Sequence, residues 1–151
     1  MVREKTIYFY SWAKKYFEFS NFSLHSIVVN GKEYATNEHY FQSIKFVDPE
    51  YQEQVRLAKT PKEAKILGSS RKHKIHHDWD SRRLDVMREA VLAKFTQHEN
   101  LKQLLLSTGN ATLVEDSPTD SFWGIGKNKT GQNMLGKILM EVRELLRNQV
   151  N

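Results

Sequence analysis

Thr36-Asn37-Glu38-His39-Tyr40-Phe41-Gln42-Ser43-Ile44-Lys45-Phe46-Val47 is the stretch on which the fold turns. Before it the chain reads as short strands; after it, helices take over. Asn37 suits a helix N-cap, and the predicted helix runs to about Val47, where Asp48-Pro49 opens the next one. At about 100° per residue, Tyr40, Ile44 and Val47 share one face, and Glu38, Gln42 and Lys45 share the opposite one. Glu38 and Lys45 are two turns apart, roughly 10 Å at ~1.5 Å per residue, so they are not an ion pair of neighbouring turns. Periodicity alone makes this a solvated polar face. The alternative is a pair flanking a ligand, one group acting on a sugar and the other on its leaving base.

Upstream, Ile7-Tyr8-Phe9-Tyr10 has the composition of a strand. Ile27-Val28-Val29 and Lys32-Glu33-Tyr34 flank Asn30-Gly31, a pair suited to a two-residue hairpin turn because both tolerate positive φ. Between them, Phe17-Glu18-Phe19-Ser20-Asn21-Phe22 is either core aromatics around a turn at Ser20-Asn21 or a place where Asn21 holds a sugar hydroxyl or phosphate. Downstream, helices are predicted over residues 51–59, 61–67 (closed by Gly68), 81–95 and 99–106. The third of these carries Leu84, Met87, Val91 and Phe95 on one face. A strand at Thr112-Leu113-Val114 precedes a final helix over residues 131–146. Leu135, Ile138, Leu139, Val142, Leu145 and Leu146 form its apolar stripe, and Arg143 and Arg147 complement its dipole. No repeat or Pro/Gly/Ser-rich linker interrupts the chain. Residues 1–151 therefore read as a single, mainly helical α+β domain with a small sheet and a hairpin near its N-terminus.

Composition removes several classes of function. Hydrophobic residues at 39% and aromatics at 11% exclude a disordered chain. With no cysteine there is neither a disulfide framework nor thiolate chemistry. No apolar run approaches ~18 residues, so no membrane association is expected. The first residues lack a signal-peptide core, which makes the cytoplasm the expected compartment. The net charge of +5 favours phosphate-bearing partners and allows contact with DNA or RNA through the basic surface.

Two further segments carry possible chemistry. Arg71-Lys72-His73-Lys74-Ile75-His76-His77-Asp78-Trp79, followed by Arg82 and Arg83, is either a soluble basic loop or a phosphate site with an exposed Trp79 for a stacked base. Its histidines are read as solvated loop residues, with no metal expected. Asp116-Ser117-Pro118-Thr119-Asp120-Ser121-Phe122-Trp123-Gly124-Ile125-Gly126 runs on towards Gly131-Gln132-Asn133-Met134-Leu135-Gly136. Glycines there bracket a polar loop leading into a helix start, where free N–H groups can bind an anion. Trp123 is placed to stack on a base, and Asp120 to act as a base or to orient one. Turn and capping chemistry uses the same residues.

In this order, these segments resemble the YbiA-like family, also called NADAR. The matching residues are Phe19-Ser20-Asn21-Phe22, Glu38-His39-Tyr40-Phe41-Gln42 with Lys45-Phe46, Trp79, Val86-Met87, Lys94-Phe95 and Leu113-Val114-Glu115. They continue with Trp123-Gly124-x-Gly126 and Gly131-x-Asn133-x-Leu135-Gly136. The resemblance spans residues 7–146. One departure is that many members carry Gly-Arg after the third helix, where this chain has Gly68-Ser69 with Arg71 two residues on.

The resemblance implies a largely helical α+β fold and N-glycosidase activity without a cofactor. The implied substrates are ADP-ribose on guanine, in nucleic acid or nucleotide, or phosphoribosylamino-pyrimidine intermediates of riboflavin synthesis. Both carry ribose on an amino nitrogen. The expected catalytic residues are Lys45 (Schiff-base nucleophile), Glu38 (proton shuttle) and Asp120 (orienting the sugar or activating water). Ser20, Asn21, Arg71, Trp79, Trp123, Gly126 and Asn133 are the expected substrate contacts. A closed-ring attack by water, activated by Glu38 or Asp120, is the rival mechanism. A non-catalytic reader of ADP-ribose or of a nucleic-acid end is the rival function.

Overall fold

The hairpin and the helix that follows it are fixed by local chemistry. Asn30 and Gly31 have φ of 53° and 79°, the positive pair a type I′ turn requires, and they join strands in the register Ile27↔Tyr34 and Val29↔Lys32. In this computed structural model, which describes residues 5–149, the elements are β1 (Thr6–Phe9), a 3-10 turn (Phe17–Phe19), β2 (Ile27–Val29) and β3 (Lys32–Tyr34). Four helices follow: α1 (Asn37–Ile44), α2 (Pro49–Arg56), α3 (Pro61–Gly68) and α4 (Trp79–Gln97). The chain ends with α5 (Glu99–Ser107), β4 (Thr112–Glu115) and α6 (Met134–Gln149). This is the mainly helical α+β fold expected. It divides into two units, one of Asn21–Gln97 and the other of the chain up to Ser20 and from His98 onward.

In the unit Asn21–Gln97, α1 packs against α2, α3 and α4, and α4 also packs against β2. The cap of α1 is Thr36 rather than Asn37. Thr36 is extended (φ −147°) and its Oγ1 accepts the His39 N–H at 3.2 Å, which leaves Asn37 as the first helical residue. The helix stops at Ile44, short of Val47, because residues 45–47 turn to pair with another segment. Phe46 bridges Ile75, the Val47 N–H donates to Lys74 O (3.0 Å), and the His76 N–H donates to Lys45 O (3.1 Å). Phe46 enters a core with Tyr51, Val55 and Ala64, while Val47 is left exposed, so the predicted apolar face fails at its last member. Gly68 does not close α3 in a left-handed conformation; it is part of the helix. A Cβ at that position would lie 2.0 Å from Gln42 Oε1, so glycine is needed for close approach rather than for a turn. α4 begins two residues earlier than predicted, at Trp79, and buries Val86, Met87, Ala90, Val91, Lys94 and Phe95.

In the other unit, β1 and β4 pair in parallel, Ile7 opposite Leu113 and Phe9 opposite Glu115, and α6 packs on β4 and α5. Its core holds Ile7, Phe9, Leu113, Leu135, Ile138 and Leu139. Leu145 leaves the predicted stripe and is exposed. Arg143 is buried instead of capping a dipole at the surface, and it donates to Thr108 Oγ1 and Ala111 O, both at 2.9 Å. Arg147 binds Gly109 O and Asn110 Oδ1. Among the described residues no helix is long and apolar enough to cross a membrane.

Candidate active site

The polar face of α1 is not solvated. Glu38 is 8% exposed and Gln42 and Lys45 are half-buried, since α1 is packed against α2, α3 and α4. Gln42 connects the two groups of interest. Its Nε2 donates to Glu38 Oε2 at 2.7 Å, and its side chain occupies the space over Gly68. The carbonyl of Gly68 in turn accepts the Lys45 Nζ at 2.8 Å. Burial lowers the Lys45 pKa, and the pull of the Glu38 carboxylate, which raises it, is the smaller effect. A lysine so placed is neutral more often than a surface lysine, as a nucleophilic amine must be.

Lys45 lines a cleft of about 400 Å³ with His76, His77, Trp79, Asp80 and Arg83. The Phe46–Ile75 bridge lays the histidines beside the end of α1, and the Trp79 N–H bond to His76 O (3.0 Å) turns the chain into α4. Trp79 is not the exposed platform expected. It is 8% exposed and packs on Phe41 with ring centroids 5.0 Å apart, forming a wall of the cleft. Arg71 is exposed and does not line it. His73 is stacked on Tyr51 at 3.5 Å and shares a hydrogen bond with Ser70 Oγ, so it is a packed side chain rather than a solvated loop residue. Asn21 is buried; its carbonyl accepts the Glu38 N–H (3.1 Å) and its Nδ2 contacts Met87 Sδ (3.4 Å), which fastens the start of α1.

Ser20, Asp120, Trp123, Gly126 and Asn133 belong to the other unit. Asp120 Oδ1 accepts the N–H groups of Phe122 and Trp123 (2.9 and 2.8 Å), making a local turn. The half-buried Trp123 meets Phe122 edge-on, and Gly126 has a φ of 71°. The N–H groups expected to await an anion at the start of α6 are taken. Those of Asn133, Met134 and Leu135 donate to the carbonyls of Gly124, Phe122 and Trp123 at 3.0–3.1 Å. The side chain of Asn133 is also engaged, accepting from Glu115 N and donating to Leu113 O, both at 2.9 Å. It bonds to β4 as a neighbouring strand would. Ser20 is buried.

The family model of the NADAR domain matches residues 8–147. The chain belongs to the NADAR family. It is 49% identical over 146 residues to an N-glycosidase of Nostoc punctiforme, covering 95% of this chain and 94% of that protein. It is 43% identical to the N-glycosidase YbiA of Escherichia coli, covering 97% and 91%. The NMR structure of that YbiA superposes with a TM-score of 0.91 over 99% of this chain and 89% of the other, at 42% identity. The chloroplastic riboflavin biosynthesis protein PYRR of Zea mays is 41% identical over 140 residues, which cover 83% of this chain and 22% of that protein.

In this NADAR chain, the segment read as either a basic loop or a phosphate site does hold His76, His77 and Arg83, but sequence reasoning chose Arg71 and Trp79 from it as the contacts, took the histidines as solvated and did not single out Asp80. One signal was available: Trp79 and Arg83 are four apart at a helix start and so share a face. The role of Gln42 as the link between Glu38 and Lys45 was not available, since it depends on α3 supplying Gly68.

Proposed function

We propose that this N-glycosidase of the NADAR family removes ADP-ribose from guanine, with Lys45 as nucleophile and Glu38 as proton shuttle. The observation that carries this reading is a lysine whose charge is disfavoured by burial, on a cleft wall, bonded to the carbonyl of the Gly68 over which Gln42 lies, while Gln42 in turn bonds the buried Glu38 carboxylate. The nitrogen lone pair of a ribosylamine expels the ring oxygen to give an imine at C1. The Lys45 amine adds there and gives up a proton through Glu38 to the guanine amino nitrogen. The C1–N bond to guanine then breaks, leaving a Schiff base between Lys45 and the sugar, and water releases the sugar as the aldehyde. Support for ADP-ribose over a monophosphate is the net charge of +5, which favours a substrate with several phosphates. The likeness to the maize riboflavin protein favours phosphoribosylamino-pyrimidines as the second reading.

Incubation of the protein with guanine-ADP-ribosylated DNA and, separately, with the pyrimidine ribosylamine phosphate tests both, release being followed by mass spectrometry. Selective release of ADP-ribose is the expected outcome. Selective release of ribose 5-phosphate moves the assignment to the second substrate, and release from neither leaves a reader that binds without cutting. Borohydride trapping of a sugar on Lys45 is expected. Its failure, with Lys45→Ala retaining most activity, would replace the Schiff base by closed-ring attack of water.

A further inference from the structure

We infer that His76, His77 and Arg83 form an anion subsite for the phosphoryl group on O5 of the same ribose whose C1 meets Lys45. The identity of the sugar rests on the N-glycosidase reading above; the anion site itself does not. The cleft that Lys45 enters carries one arginine and two histidines, and one carboxylate, Asp80. Asp80 is exposed in the first turn of α4, where the helix dipole already favours its charge, and the neighbouring Asp78 is within 3.8 Å of Arg82. The cleft wall thus offers one guanidinium and two imidazoles as donors to an anion, against the single carboxylate of Asp80.

The backbone that carries these side chains is anchored beside Lys45. The His76 N–H donates to Lys45 O, and the Trp79 N–H donates to His76 O. Arg83 follows Trp79 by one helical turn, so the guanidinium and the indole lie on one face of α4. An amine for C1 and a group of phosphate donors thus share one cavity of about 400 Å³, at the lower end of the ~300–1,000 Å³ typical of small-molecule sites. That is room for a phosphorylated pentose. A bidentate guanidinium with imidazole donors matches the geometry of a phosphoryl group. Both substrate classes carry a phosphoryl group on O5 of the ribose that is cut, so one subsite serves both. Arg71, exposed and outside the cleft, is not needed for it.

The test is a calorimetric titration of the full chain with ribose 5-phosphate and with ribose. The wild type should bind the phosphate ester and not the free sugar. Arg83→Gln should weaken binding on the order of 10- to 100-fold, and Arg83→Lys by less. With a phosphorylated substrate the loss should fall mainly on KM. If Arg83→Gln fails to fold, the double variant His76→Asn/His77→Asn carries the same expectation. Equal affinity of wild type and folded variants for ribose 5-phosphate would overturn the subsite, as would equal binding of ribose. Those results leave the glycosidase reading to its own product-release assay. Conversely, Arg83-dependent binding of ribose 5-phosphate without any turnover would keep the subsite and remove the glycosidase.

Discussion

Gln42 lies directly over Gly68: a Cβ at position 68 would fall 2.0 Å from Gln42 Oε1 and 3.0 Å from its Cβ. The same Gln42 donates to Glu38, and the same Gly68 accepts from Lys45. A methyl group at position 68 should therefore displace Gln42 and disturb both candidate catalytic groups together. Gly68→Ala is expected to cost about 1–3 kcal/mol of stability and to lower kcat/KM by roughly tenfold or more through misplacement. Removing the clash in Gln42→Ala/Gly68→Ala should restore much of the thermal midpoint without restoring the rate. Additive effects of the two substitutions on stability would show that the contact does not couple them.

The pH–rate profile should carry an acid limb set by Lys45. The reaction needs the neutral amine, so the rate falls as pH drops through the Lys45 pKa, which burial places below the ordinary lysine value. Glu38 raises that pKa, so Glu38→Gln should move the limb to lower pH. Loss of the shuttle should also reduce the plateau by about 10²–10⁴. A limb that stays in place or moves upward would mean that another group sets it.

His39 makes stability depend on pH. Its Nε2 lies 3.0 Å from Ala58 O and must donate to it, and its Nδ1 is 2.8 Å from Thr36 Oγ1, so the buried ring is held neutral. Burial lowers its pKa below the ordinary 6.5. The unfolded chain therefore takes up this proton first as pH falls. The contribution of His39 is complete above pH 6.5 and declines as pH drops through the folded-state value, with a limiting slope of about 1.4 kcal/mol per pH unit. Urea unfolding between pH 8 and ~5 should show this decline, and His39→Gln should lessen it. An undiminished slope in His39→Gln would assign the effect to another group.

Asn133 should prove to be a stability residue. It holds both Glu115 N and Leu113 O at a φ of 53°, which a side chain other than Asn or Asp adopts at a cost. Asn133→Ala is expected to lose about 1–3 kcal/mol or more by leaving these groups unmatched. In the folded fraction, KM should be unchanged. A raised KM with unaltered unfolding would return Asn133 to substrate binding.

The sequence by itself determined the elements whose causes are local. Asn30-Gly31 prescribes its turn, Asp48-Pro49 opens α2, and the leucine period of α6 marks its buried side, because each depends on residues within a turn or two of one another. The ordered motifs were enough to name the family. Contacts between residues distant in sequence decided the rest. α1 stops at Ile44 because residues 45–47 pair with residues 74–76, and that pairing is what sets two histidines beside Lys45. Gly68 is a glycine because Gln42 approaches it, and the start of α6 is closed to anions because carbonyls of residues 122–124 reach it first. Local spacing places a side chain on a face. Which other chain segment fills the space before that face, and so whether it is a solvated surface, a packed wall or a site, is decided only when distant segments compete for the same hydrogen bonds and the same volume.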